Sequence, residues 1–133
     1  MAQEKYKIFI IDDDSFLLDM YSFKFKGAGH EVEVANGPED ALTKLRAGAK
    51  PDAVLCDIVM PDMDGFQVIE VIRKEKLAPG ATIIVLSNRG EKADLDKARE
   101  LETDAYIVKA RTVPSEVLEQ VLKAIEVHKA KAK

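Results

Sequence analysis

Ala53-Val54-Leu55-Cys56-Asp57 is the stretch that decides the fold, four apolar residues in a row that stop at a lone carboxylate. The pattern recurs along the chain. Ile8-Phe9-Ile10-Ile11 runs into Asp12-Asp13-Asp14, Ile83-Ile84-Val85-Leu86 into Ser87, and Tyr106-Ile107-Val108 into Lys109. Apolar runs this short, separated by helical patterns, read as parallel strands buried on both faces. In an open sheet of such strands, ligands bind beyond the carboxyl ends. Asp12, Asp13, Asp57, Ser87 and Lys109 are therefore expected on one rim. Carboxylates gathered there repel one another unless a cation joins them.

The segments between the runs carry helix signals. A first helix is expected from Asp14 or Ser15, either of which can cap it. Phe16, Met20 and Phe23, at i, i+4 and i+7, read as its apolar face, and Gly27 and Gly29 end it. Glu31–Ala35 alternates polar and apolar residues, as a half-exposed edge strand does. Gly37-Pro38 opens a second helix that Gly48 closes. A third follows Asp64-Gly65 with Phe66, Ile69 and Ile72 at helical spacing, and Pro79-Gly80 is a turn. The fourth, near Glu91–Leu101, has a thin apolar stripe of Ala93, Ala98 and Leu101, and is the element expected to be mobile. The fifth starts near Pro114-Ser115 with a strong face of Val117, Leu118, Val121, Leu122 and Ile125; the basic tail Lys129–Lys133 is expected to fray. Five such units with right-handed crossovers predict an α/β fold. Its sheet is a doubly wound, five-stranded parallel one in the order 2-1-3-4-5, with a cleft beside the first and third strands.

Composition bounds the function. A chain of 133 residues is expected to form a single domain spanning 1–133, with a core over about 5–128 and no output domain. The net charge of −4 argues against a general nucleic-acid binder, so no nucleic-acid partner is expected. The single cysteine, Cys56, reads as a small buried hydrophobe. With no internal disulfide possible and no signal-like N-terminus, the cytoplasm is the expected compartment. No apolar stretch approaches the ~20 residues of a membrane span, so no membrane association is expected.

Clustered carboxylates with open coordination suit Mg²⁺, a hard ion that keeps several waters and bridges to phosphate. A carboxylate can also be a nucleophile that forms an aspartyl phosphate, and Asp57, alone at its strand's tip, is the best candidate. Phosphoryl transfer needs in-line positioning and cancellation of charge on the equatorial oxygens. Mg²⁺, Lys109 and the Ser87 hydroxyl can each take one oxygen.

On these residues the chain resembles the receiver domains of two-component response regulators, in particular single-domain chemotaxis-type regulators of the flavodoxin-like (βα)₅ fold. The resemblance is carried by Asp12-Asp13, the segment Asp57-Ile58-Val59-Met60-Pro61-Asp62-Met63-Asp64-Gly65, Ser87, Tyr106 and Lys109, in order along the whole chain. It implies that Asp57 accepts a phosphoryl group from a phosphohistidine of a sensor histidine kinase or phosphotransfer protein. It implies that Asp12, Asp13, Asp57 and the Val59 backbone carbonyl bind Mg²⁺. It also implies a switch: Ser87 moves toward the phosphoryl group, Tyr106 swings inward, and the face made by the fourth helix, fifth strand and fifth helix changes shape for an unknown downstream protein. Such a chain is a self-phosphorylating and self-dephosphorylating switch, not a turnover enzyme.

The sequence departs from that pattern in places. Ala110 stands where receivers usually have a proline after the lysine, so Lys109-Ala110 is either trans with a shifted loop or strained. Asn88 and Arg89, with Val59, are expected at the entrance to Asp57, where they would tune the phosphoryl group's lifetime. These departures keep open a degenerate receiver that acts as a phosphorylation-independent interaction module. An aspartate-nucleophile phosphatase fits less well, because no second acidic pair follows Lys109. A flavin-binding protein fits less well too, because Asp12–Asp14 would repel the flavin phosphate. His30 and His128 are assigned no chemistry.

Overall fold

Each apolar run becomes a strand because its odd and even residues both find a core. The computed structural model describes residues 4–131. Its elements alternate as β1 (Lys7–Ile11), α1 (Ser15–Gly27), β2 (Glu31–Ala35), α2 (Pro38–Arg46), β3 (Ala53–Cys56), α3 (Gly65–Glu75), β4 (Thr82–Ser87), α4 (Lys92–Glu100), β5 (Ala105–Val108) and α5 (Pro114–Lys131). A 3₁₀ turn, Lys109–Arg111, joins β5 to α5. All strand pairs are parallel, and the order is β2-β1-β3-β4-β5, as the sequence predicts.

Period-two alternation divides each run between two layers. Phe9, Ile11, Val54, Cys56, Ile83 and Val85 pack with α2, α3 and Ala98 of α4. Ile8, Ile10, Leu55, Ile84, Leu86 and Ile107 pack with α1 and α5. On α5, Val117, Val121 and Ile125 are fully buried, and each contributes roughly 1.5–3 kcal/mol. The helix continues through Lys131, so the basic stretch expected to fray is helical as far as it is described, and Ala132 and Lys133 lie outside the described residues.

Helix starts follow the sequence signals. The Asp14 carboxylate accepts from the amides of Phe16 and Leu17, which makes it, rather than Ser15, the cap of α1. Asp64 and Gln67 form a reciprocal capping box on α3.

Two helix faces differ from expectation. On α1, Leu18, Tyr21 and Phe25 are buried, whereas Phe16 and Phe23 are 74% and 81% exposed. Both triads have helical spacing, because α1 carries apolar residues on two sides. The direction in which the chain leaves β1 decides which side turns inward. On α4, Ala93 is exposed, and the buried residues are Ala98 and the charged Asp94.

His30, between α1 and β2, belongs to the core. It is 5% exposed, stacks on Tyr6 at 5.7 Å between ring centroids and meets Phe25 edge-on. Its Nδ1 accepts the Tyr6 amide at 3.1 Å, so Nε2 carries the proton; that atom is buried without a partner among the described residues. Burial holds the imidazole below its ordinary value of 6.5. The unfolded chain therefore takes up the proton first, and stability present above 6.5 is lost as the pH falls below it. Urea midpoints measured from pH 7.5 to 5 should decline in the parent and decline less in His30→Phe. Equal slopes would mean that other groups carry the acid sensitivity.

Candidate functional site

Strand register builds the rim. Ile11 pairs with Cys56, so the next residues on β1 and β3, Asp12 and Asp57, emerge side by side. Ser87 pairs with Val108, which brings Lys109 to the same end from β5. The Asp57 amide donates to the Ile11 carbonyl at 3.0 Å and the Asp12 amide to the Ala35 carbonyl at 3.1 Å, so both carboxylates hang from a fixed backbone.

Asp12, Asp13 and Asp57 each offer an oxygen, all within 4.8 Å of one another. Asp12 and Asp57 are buried and Asp13 is exposed, which leaves the cluster open to water on one side. Lys109 Nζ donates to Asp12 Oδ2 and, at 3.2 Å, to Asp57 Oδ2. The remaining oxygens are held by backbone amides, Asp12 Oδ1 by Asp14 at 2.9 Å and Asp57 Oδ1 by Val59 at 3.3 Å. These residues line a cleft of about 380 Å³ together with Leu17, Ser87 and Asn88.

Burial raises the Asp12 carboxyl above its ordinary value; the hydrogen bond from Lys109 opposes this, and the Asp57 charge adds to the rise. Burial also pulls the Lys109 ammonium down, but the hydrogen bond to Asp12 and the charges of Asp57 and Asp12 outweigh it and leave it above the lysine norm. One cation thus answers two buried carboxylates with a third beside them. The surplus negative charge and the all-oxygen donor set fit a hard divalent cation. Cys56, buried next to Asp57, has its thiol pushed far up by burial and is chemically inert.

The entrance residues separate. Val59 and Asn88 line the cleft. Arg89 turns its guanidinium to Asp94 of α4, with Nε donating to Oδ1 at 3.0 Å. Tyr106 is half-buried against the core layer of α2 and α3, and its hydroxyl donates to the Arg89 carbonyl. Its phenol is pushed up to about 12 by burial, with the Asp94 charge adding to this. Lys109-Ala110 is trans, as no cis bond occurs among the described residues, and the loop turns as a 3₁₀ helix there. A cis bond to a non-proline residue would cost ~2.5–4 kcal/mol.

Two contacts were not legible in the sequence. Gly65 lies directly on the Asp57 carbonyl, where a Cβ would come within 2.0 Å. Asp94 is the buried acid of α4. The sequence holds a hint of the second, an acid three residues after Glu91 and five after Arg89.

A sheet of this order with this rim defines a receiver module, and comparison with known proteins agrees. The family model for the response regulator receiver domain matches residues 8–123. The chain is 34% identical over 109 residues to the probable transcriptional regulator ycf27 of Pyropia yezoensis, covering 82% of this chain and 43% of that one. It is 32% identical over 103 residues to the alkaline phosphatase synthesis transcriptional regulatory protein PhoP of Bacillus subtilis (strain 168), covering 77% and 42%. A CheY-like response regulator receiver domain protein from Methanospirillum hungatei JF-1 superposes with a TM-score of 0.86 at 26% identity, over 96% of this chain and 99% of that one. The chain belongs to the response regulator receiver domain family of two-component signalling. It spans less than half the length of these curated relatives. No helix among the described residues is long and apolar enough to cross a membrane.

Proposed function

We propose that the chain is a phospho-accepting switch in which Asp57 is the acceptor. The observation that carries this reading is Lys109, held between Asp12 and Asp57 at the edge of an open three-carboxylate cluster. An Asp57 carboxylate oxygen forms the new O–P bond as the N–P bond of a phosphohistidine breaks, and the imidazole nitrogen keeps the electron pair. Asp12, Asp13, Asp57 and the Val59 carbonyl would hold Mg²⁺, which supplies charge cancellation on the transferring group. Lys109 would neutralise a second phosphoryl oxygen, and the Ser87 hydroxyl would donate to a third.

The aspartyl phosphate carries about −1.5 to −2 charge in place of the carboxylate's single charge, and brings new acceptor oxygens to a rim already short of cations. Ser87 and Tyr106 respond to it, and the α4–β5–α5 face is what a downstream protein reads. The donor is a histidine kinase or phosphotransfer protein, and the cytoplasm is the compartment where such a donor's phosphohistidine is met. The chain promotes its own phosphorylation and dephosphorylation and is not a turnover enzyme. Ala110, Asn88 and Arg89 are the departures behind the second reading, an interaction module that works without phosphorylation.

Intact mass decides between them. With Mg²⁺ and acetyl phosphate, the parent should gain one phosphoryl group, and Asp57→Asn or the parent in EDTA should gain none. A folded, Mg²⁺-binding parent that shows no adduct even after rapid quench would establish the phosphorylation-independent module instead.

A further inference from the structure

Arg89 makes three contacts that lead in three directions. Its amide donates to Ser87 Oγ at 3.3 Å. Its carbonyl accepts the Tyr106 hydroxyl. Its Nε donates to Asp94 Oδ1 at 3.0 Å. Asp94 is 8% exposed, and its other oxygen accepts the Glu91 amide at 3.2 Å, which closes the first turn of α4. The next residue, Gly90, lies against β5, where a Cβ would meet Val108 Cγ2 at 2.8 Å. The loop therefore follows β5 closely.

Helix α4 has little else to hold its N-terminal end. Its inward residues are Asp94 and Ala98, and Leu95 is 39% exposed. A helix with so small an apolar face depends on its polar ties for position. We propose that Arg89 is a positioning residue that passes the state of the Asp57 pocket to helix α4 through Asp94. The proposal rests on the phosphoacceptor reading and adds a route to it. Ser87 Oγ can keep accepting from the Arg89 amide while its proton turns to a phosphoryl oxygen. A shift of Ser87 toward Asp57 thus draws the Arg89 main chain with it. That one displacement moves the acceptor of Tyr106 and the guanidinium that anchors Asp94. Tyr106 and α4 then respond together because they share one residue, not because they touch the phosphoryl group.

The side chain and the main chain of Arg89 can be separated experimentally. Arg89→Ala keeps both main-chain contacts and removes only the tie to α4. Asp94→Asn keeps an acceptor for the Glu91 amide and removes the charge. Arg89→Lys restores a cation within reach of Asp94. The probe is beryllofluoride with Mg²⁺, its occupancy matched across variants by fluorine NMR. The readouts are amide exchange over residues 92–100 and the Tyr106 ring signals.

In the parent, beryllofluoride should change exchange in 92–100 by about fivefold or more, the lower end of ordinary coupling. In Arg89→Ala and Asp94→Asn the change should fall below about twofold, while the Tyr106 signals still respond. Arg89→Lys should recover at least half of the response. A merely structural tie would speed exchange in both states and leave their ratio as in the parent; that result overturns the proposal. So does an Arg89→Lys protein with α4 helical and no recovery. A parent that binds no beryllofluoride overturns the phosphoacceptor reading and the proposal with it, whereas bound beryllofluoride with an unaltered α4 response in both charge-removing variants overturns the proposal alone.

Discussion

Gly65→Ala should cost about 3 kcal/mol of stability, the upper end of what overpacking does, and should slow phosphorylation of Asp57 by about tenfold or more. The added methyl would lie 2.0 Å from the Asp57 carbonyl oxygen and 2.8 Å from the carbonyl carbon and from Ile58 Cα. All three are backbone atoms, so no rotamer change relieves the clash. The Gly65 amide also donates to the Ile58 carbonyl at 2.8 Å, which pins the start of α3 to the segment that must give way. Either α3 lifts, and Phe66, Val68 and Ile69 lose their packing, or the Asp57 backbone moves. A displacement near 1 Å is enough to cost on the order of a hundredfold in a reaction that depends on in-line attack. Urea midpoints and the time course of the mass gain with acetyl phosphate measure the two effects separately. A loss below about 1 kcal/mol with an unchanged rate would mean that α3 yields without disturbing Asp57. Gly65 has no left-handed backbone to explain it; close approach is its whole reason.

Lys109→Met should destabilise the metal-free protein by about 3–5 kcal/mol, the usual cost of removing one partner from a buried ion pair. Its side chain is 6% exposed, against 3% for Asp12 and 10% for Asp57. Without the ammonium, two buried carboxylates face each other with only backbone amides to hold them. Asp12, already raised by burial, loses the hydrogen bond and the charge that oppose the rise. The sign of the pH effect follows. A carboxyl raised in the folded state binds its proton there before the unfolded chain does, so stability increases as the pH falls toward the ordinary carboxylate value. This is opposite to the effect of His30. The deficit of the variant relative to the parent should therefore be smaller at pH 5.5 than at pH 7.5, as read from urea midpoints. Added Mg²⁺ should recover part of the deficit at pH 7.5, because a cation returns to the cluster. A variant within about 1 kcal/mol of the parent at neutral pH would mean that water screens the carboxylates and that the cluster is softer than its burial suggests.

Both effects have the same origin. Parallel strands in register deliver Asp12, Asp57, Ser87 and Lys109 to one edge, and the start of α3 then packs on the backbone of Asp57. The site is thus part of the core of the domain rather than an addition to its surface, and substitutions beside it should trade stability against reactivity.

Much of this was legible in the chain. The apolar runs named the strands because residues buried on both faces leave no polar alternation to confuse with an exposed strand. Asp14, Pro38 and Asp64 marked helix starts because capping is a local matter of one side chain and a few amides. The rim residues followed from the runs, since a strand's last residue is the one that reaches the ligand edge.

The errors and omissions share a different cause. Phe16 and Phe23 were read inward because spacing gives the period of a helix and not its rotation, and α1 has apolar residues on both sides. Ala93 was read inward for the same reason, with Asp94 taking its place. Gly65 stood in the motif without its purpose, because a clash with the Asp57 carbonyl exists only once α3 has docked. The burial of His30 is not legible in the sequence, because a turn residue's burial depends on what packs over it, here Tyr6 and Phe25. The sequence by itself determined the strands, their ends, the caps and the set of polar groups that gather at the rim, because each depends on residues near in the chain. The rotation of α1, the link from Arg89 to Asp94, the seat of Gly65 and the division of Lys109 between two carboxylates were decided only by the tertiary structure, because each depends on how elements dock against one another and not on spacing along the chain.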